Sequence, residues 1–203
     1  MKRVEMKRCI LIGLIFFGWG SDLRAQEEEI EKGSFSATVN PSFYFLGGYS
    51  VKGLYHLQKR WSFGIASEGA FELPGFARDQ FFSNDEDIDV NWDYLVGVEV
   101  RYRLNKSSFD KGFYVLGTLG YEEWTVEDDE ETGEDSFGNA YASIGVGYNW
   151  YPFKKPKLHF GGSYNIIFIL NNTDDRMVGN SIYNIRGVVP PSFAPVIYVG
   201  YRF

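Results

Sequence analysis

Apolar side chains recur at every second position along most of this chain. The clearest run is Val90, Trp92, Tyr94, Val96, Val98, Val100 and Tyr102, interleaved with Asn91, Asp93, Leu95, Gly97, Glu99, Arg101 and Arg103. A second is Ala140, Ala142, Ile144, Val146, Tyr148 and Trp150, alternating with Tyr141, Ser143, Gly145, Gly147 and Asn149. A third is Phe160, Gly162, Tyr164, Ile166, Phe168 and Leu170, whose other face turns apolar at Ile167 and Ile169. A period of two is the signature of strands with one buried face, and no stretch after residue 25 carries the 3.6-residue period of a helix. The pattern predicts strands near 34–45, 49–57, 62–73, 90–103, 113–124, 138–150, 157–170 and 194–203. Several reach the roughly 9–11 residues that a tilted membrane-crossing strand needs, where sheets of soluble proteins average about 5–6.

The connections between these strands alternate. Short ones follow the second, fourth and sixth strands (58–60, 104–112, 151–156), and long ones follow the third, fifth and seventh (74–89, 125–137, 171–193). Only the first, Leu46-Gly47-Gly48, is short where a long one is due. In an up-and-down meander, this order puts short turns at one end and long loops at the other. Charge divides the same way. Lys59, Arg60, Arg103, Lys106, Lys111, Lys154, Lys155 and Lys157 fall at the short-turn end, while acids crowd the long loops, most densely from Glu127 to Asp135.

Composition narrows the class. The chain has 203 residues, 18% of them aromatic, with 23 glycines, one cysteine and two histidines. One cysteine excludes an internal disulfide framework and an all-cysteine zinc site. Two histidines, His56 and His159, argue against a histidine-rich metal centre. Residues 1–25 read as a secretory signal peptide: Lys2, Arg3, Lys7 and Arg8, then the apolar run Cys9–Trp19, then a small residue at Ala25, after which cleavage is expected. The apolar run is too short for a spanning helix, which takes about 20 residues. Cleavage removes five basic residues (Lys2, Arg3, Lys7, Arg8, Arg24) and two acidic ones (Glu5, Asp22), moving the net charge from −7 to −10. That balance disfavours nucleic acid as a partner. Residues 26–33 then form a short acidic tail, and 34–203 the strand domain.

Alternation does not say which face is buried; three features do. Trp61, Trp92, Tyr94, Tyr102, Tyr121, Trp124, Tyr148, Trp150 and Tyr151 gather near strand ends, as in the aromatic girdles at membrane interfaces. The polar face is rich in Gly, Ser, Asn and charges of both signs, which suits a tight barrel interior. The chain also ends with Ile197, Val199, Tyr201 and Phe203 on one apolar face. On these residues the chain resembles the small eight-stranded outer-membrane β-barrels of Gram-negative bacteria, the OmpA/OmpX/OmpW type. The resemblance implies periplasmic termini, short periplasmic turns, long extracellular loops, and recognition of Tyr201 and Phe203 by the outer-membrane assembly machinery. Pro190, Pro191 and Pro195 depart from a strand pattern, because proline cannot donate a ladder hydrogen bond, and mark the entry to the last strand.

Candidate chemistry is sparse. Inward alternation collects Glu68, Glu72, Asp93, Glu99, Arg101 and Glu122 as a lumen charge network, with Lys52, His56 and Arg202 able to join. Such charges must be paired when buried. A barrel enzyme acting on lipid A would need a nucleophile with a base. His159 and Ser163 share a strand face but stand ~13 Å apart, and Ser67 and Ser143 have no evident partner. Asp85 to Asp89 resembles a calcium loop but has Val90 where the sixth-position glycine should be. The acids of 127–135 suit a solvated loop better than a cation site, and Asn171-Asn172-Thr173 matches a glycosylation sequon of little meaning in a bacterial outer membrane.

The expectation is therefore an all-β protein, an eight-stranded antiparallel up-and-down transmembrane β-barrel. It is exported to the bacterial outer membrane, without cofactor, metal or catalytic residues. The expected role is structural, or surface interaction through the acidic loops. The partners would be outer-membrane lipid and lipopolysaccharide, the assembly machinery, and an extracellular partner for a monomeric barrel. A narrow solute pore of the OmpW type is the alternative, with Ile167 and Ile169 as its only hint.

Overall fold

The computed structural model describes residues 33–57, 60–83, 88–105, 111–128, 133–153, 157–190 and 196–203. The leader, the acidic tail up to residue 32 and most of the calcium-like loop lie outside them, as do Pro191 and Pro195. In chain order the elements are β1 (Ser34–Val39), α1 (Pro41–Phe45), β2 (Tyr49–His56), β3 (Trp61–Glu72), α2 (Gly75–Phe81), β4 (Phe82–Ser83), β5 (Ile88–Arg103), β6 (Gly112–Asp128), β7 (Glu134–Trp150), β8 (Leu158–Ile169), β9 (Arg176–Val178), β10 (Ser181–Ile185), β11 (Val188–Val189) and β12 (Val196–Arg202).

Eight of these strands close a ring. The pairing runs β8-β12-β1-β2-β3-β5-β6-β7 and returns to β8, every pair antiparallel. Closure leaves no sheet edge, the one arrangement in which strands can satisfy their backbone groups in hydrocarbon. β11 extends the β8 edge beyond the start of β12. No helix among the described residues is long and apolar enough to cross a membrane.

The wall has uneven height. β5, β6 and β7 run 16, 17 and 17 residues, whereas β1, β2 and β12 run 6, 8 and 7. The first strand is shorter than its sequence pattern, ending at Val39 instead of 45. Asn40 accepts from the Ser42 amide at 3.0 Å, and Pro41 opens the helical turn α1. That is a capped helix start, and it ends the strand. The long loop expected at 125–137 is mostly strand, because β6 continues to Asp128 and β7 begins at Glu134.

The barrel changes polarity partway along its axis. From the short-turn end up to Tyr94 and Tyr121, whose rings lie 6.4 Å apart, the outer face carries Phe63, Ile65, Val96, Val98, Val115, Leu119, Ile144 and Val146, all exposed. The inner face at those levels carries Ser36, Ser62, Glu99, Arg101 and Asn149, all buried. Beyond the tyrosines the assignment reverses. Ile88, Val90, Trp92, Trp124, Val126 and Phe137 point inward and are buried, while Asp89, Asn91, Glu123, Thr125, Glu127 and Ser136 take the outside. The lower section is built for lipid and the upper section for water.

Two strands make the reversal by a backbone irregularity. In β5 an extra residue at Asp93 shifts the register against β6 between Trp92 and Tyr94. In β3, Gly69 (φ +138) and Ala70 (φ +62) stand directly opposite that bulge. A one-residue slip sends every later side chain to the other face. β6 and β7 have no register shift between them; their sequences change parity instead.

Candidate functional site

The lumen of the lower section is crossed by polar links. Glu99 is 3% exposed and Arg101 1%. Lys52 Nζ reaches Glu99 Oε2 at 2.6 Å from β2, and Arg101 Nε donates to the same carboxylate from its own strand. The Arg101 guanidinium lies 4.6 Å from the centre of the Tyr114 ring and 5.5 Å from that of Tyr198. Tyr198 donates to Asn149 Oδ1 at 2.5 Å, so the Tyr114 hydroxyl, 2.5 Å away, donates to Tyr198. This chain ties β2, β5, β6, β7 and β12 together. Glu99 thus has two cationic partners and a buried carboxylate's requirement for pairing is met.

A second link joins β1, β2 and β3. His56 lies between two serines, with Ser36 Oγ 2.7 Å from Nε2 and Ser62 Oγ 2.9 Å from Nδ1. All three are buried. Sequence reasoning missed this group because its members sit on three strands. Higher up, Ser50 Oγ donates to Glu68 Oε1 at 2.9 Å.

The sequence-predicted charges separate into two groups. Glu68, Glu99, Arg101 and Glu122 face inward, and Lys52, His56 and Arg202 join them. Glu122 is buried beneath the apolar core, without an ion pair to a described residue. Glu72 and Asp93 do not belong. Glu72 is exposed, because the Gly69–Ala70 irregularity moves it to the outer face. Asp93 is the bulged residue itself and accepts from Thr125 Oγ1 at 2.8 Å in an outer row that continues to Ser136. Three of the expected girdle aromatics are likewise inside. Trp92 and Trp124 stack at 5.1 Å with rings 9° apart, and Tyr151 is buried against His159. Trp61, Tyr121, Tyr148 and Trp150 are exposed on the outer face as expected.

An apolar core closes the mouth above the lumen. Loop residues fill it: Phe81 and Phe82 from α2 and β4, and Val178, Tyr183 and Ile185 from the β9–β10 hairpin, packed on Trp92, Trp124 and Phe137 of the wall. β4, β10 and β9 form a small sheet of their own across the opening. The hairpin is anchored to β7 by Arg176, which grips Asp135 through Nε and Nη2 at 2.7 and 2.9 Å, and by Tyr183, which donates to Asp135 at 2.6 Å. The guanidinium holds the Asp135 carboxyl below its ordinary range, and burial raises the Tyr183 hydroxyl. Ile169 is buried in this core and Ile167 packs against it, so the apolar end of β8 belongs to a filled mouth. The terminal apolar row is on the outer face, with Ile197, Tyr201 and Phe203 exposed.

No protein-family model matches the chain, and no curated protein matches it. Among solved structures, Ail, the attachment invasion locus protein of Yersinia pestis, aligns with a TM-score of 0.42 at 14% identity, over 85% of this chain and 100% of Ail. The N-terminal β-barrel domain of Pseudomonas aeruginosa OprF aligns with a TM-score of 0.42 at 12% identity, over 84% of this chain and 94% of that domain. Ail in complex with the heparin analogue sucrose octasulfate aligns at 0.37 and 14% identity, over 84% and 95%. The fold assignment rests on the closed strand pairings. The chain is a closed, eight-stranded antiparallel barrel.

Proposed function

We propose that this protein is a non-enzymatic barrel of the bacterial outer membrane that holds a rigid, acidic head above the lipid. Its role is structural, or surface interaction through that head. The observation that carries this reading is the polarity reversal at Tyr94 and Tyr121, above which the strands continue as a water-facing cap with an apolar interior. A membrane barrel needs an apolar outside only where lipid touches it. The head's outer rows hold Asp89, Glu123, Glu127 and Glu134, so an extracellular partner would present basic groups to them. Export follows from the basic and apolar leader, with cleavage after Ala25.

The remaining partners belong to the same proposal: outer-membrane lipid and lipopolysaccharide around a monomer, and the assembly machinery, which would read Tyr201 and Phe203 on the exposed terminal face. Deleting Phe203 should lower the yield of heat-modifiable barrel in outer-membrane fractions. An undiminished yield would contradict the assembly role.

Two other readings fare worse. The core above Glu122 speaks against a narrow pore, because the residues that would line a funnel are packed against one another. The Ser36–His56–Ser62 group speaks for an interior strut, since it faces the lumen and not the leaflet where lipid A would lie. Planar-bilayer recording on the refolded chain tests the sealed barrel. We expect inserted, folded protein with no discrete openings; well-resolved openings would overturn it.

A further inference from the structure

Strands that rise from the short-turn end begin with one sequence device. A basic residue is followed, within three positions, by an aromatic one that faces outward: Arg60 and Trp61 at β3, Lys111 and Phe113 at β6, Lys157 and Phe160 at β8. The sequence repeats it at β1 with Lys32 and Phe35, Lys32 lying outside the described residues. Each aromatic meets another on a neighbouring strand. The ring centroids are 4.9 Å apart for Trp61 and Tyr102, 4.8 Å for Phe113 and Tyr148, 6.0 Å for Trp150 and Phe160, and 5.9 Å for Phe35 and Phe203. Together they form a collar round the outside of the barrel at the end where β1 begins and β12 ends.

The cations are seated on this collar. The Arg60 guanidinium lies 5.7 Å from the Tyr102 ring centre and donates to its hydroxyl at 3.1 Å. Lys157 Nζ lies 5.7 Å from the Tyr201 ring centre. Lys111 borders a shallow cleft with Asn105, Phe113 and Tyr148. A cation over an aromatic face is held in place by the ring quadrupole and keeps its charge available. Among the described residues, no carboxylate lies within ion-pair distance of Arg60, Lys111 or Lys157. Cations just beyond an aromatic belt sit at the depth of lipid phosphates.

We propose that this collar binds the phosphates of anionic phospholipids in the periplasmic leaflet. The occupant is fixed by depth and by charge. The apolar belt above the collar takes acyl chains, and the next layer outward in a bilayer is the phosphate layer. Zwitterionic headgroups offset that phosphate with their own cation, whereas anionic ones do not. The opposite end of the barrel is acidic on its outside, so the two rims select different surroundings and fix the orientation. This inference rests on the membrane reading above.

Tryptophan quenching tests it, since Trp61 and Trp150 are exposed on the collar while Trp92 and Trp124 are buried in the head. The full chain carrying Trp19→Phe, so that no tryptophan of the leader reports, is refolded into mixed vesicles of phosphatidylcholine and phosphatidylglycerol, with one or the other lipid brominated. We expect the brominated anionic lipid to quench more strongly at equal mole fraction. The preference should fall with salt, and should vanish in the triple variant Arg60→Gln, Lys111→Gln, Lys157→Gln. Each cation near an anionic surface contributes roughly five-fold in partitioning, so the loss should be well resolved. The variant Lys111→Arg, Lys157→Arg should keep the preference. Equal quenching by both lipids in the wild type overturns the proposal, as does a preference that salt leaves unchanged or one that survives the triple substitution. If the triple variant does not fold, the wild-type salt titration decides alone. Absence of quenching by either lipid would instead sink the membrane reading itself, and this proposal with it.

Discussion

Gly69 is the residue on which the upper barrel turns. Its φ of +138 is open to glycine and strained for any other side chain. A Cβ there would also stand 2.6 Å from the Tyr94 Cα and 2.7 Å from the Asp93 carbonyl oxygen. Both obstacles are backbone, so neither can move aside cheaply. Gly69→Ala should therefore destabilise the refolded barrel by about 1–3 kcal/mol, the usual cost of a strained backbone position. Gly117→Ala is the control, since a Cβ at that position meets its nearest neighbour at 3.8 Å. Urea titration of both variants in lipid vesicles would show a shifted midpoint for the first and little change for the second. Equal midpoints would mean that the β3 irregularity does not depend on this glycine.

At the scale of elements, the strands were legible in the sequence and the faces were legible only in part. Period two located all eight wall strands, because each buries one face over many residues. In β6 and β7 the sequence also shows the polarity reversal: Phe113 to Tyr121 are apolar at odd positions, and Trp124 and Val126 at even ones. In β5 it cannot be seen. The apolar row Val90 to Tyr102 keeps one parity throughout, and the bulge at Asp93 sends its two halves to opposite faces. For the same reason Glu72 and Asp93 were placed in the lumen, and Trp92 in the girdle. A bulge leaves little mark in composition, since it is a pairing event between strands. The partners of His56 were invisible for a similar reason: Ser36 and Ser62 come near it only through the β1–β2–β3 register. The lower half of β5 makes a direct test. Val96 lies on the lipid face, so Val96→Arg should cost about 2–4 kcal/mol near the bilayer midplane. A negligible change in unfolding free energy would mean the faces are assigned backwards.

At the scale of the whole molecule, two environments are stacked along one wall. Below the tyrosine level, the barrel has an apolar exterior and a polar interior held by Lys52–Glu99–Arg101 and the His56 strut. Above it, the same strands enclose an apolar core completed by α2, β4 and the β9–β10 hairpin. Long loops thus fold inward over the mouth, and the acidic rows of the strands beside them form the outer surface. The apolar core of the mouth, the polar-faced head and the basic collar at the far rim all depend on where the reversal lies.

Site-directed spin labelling along β6, from Phe113 to Glu127, measures that position most directly. On this account, labels at odd positions from 113 to 121 are accessible to oxygen, as in lipid, and labels at 123, 125 and 127 are accessible to a water-soluble nickel chelate. Labels at even positions stay protected from both along the whole strand. Oxygen accessibility that continues unbroken to Glu127, or chelate accessibility at the even positions, would contradict the reversal and the sealed mouth together.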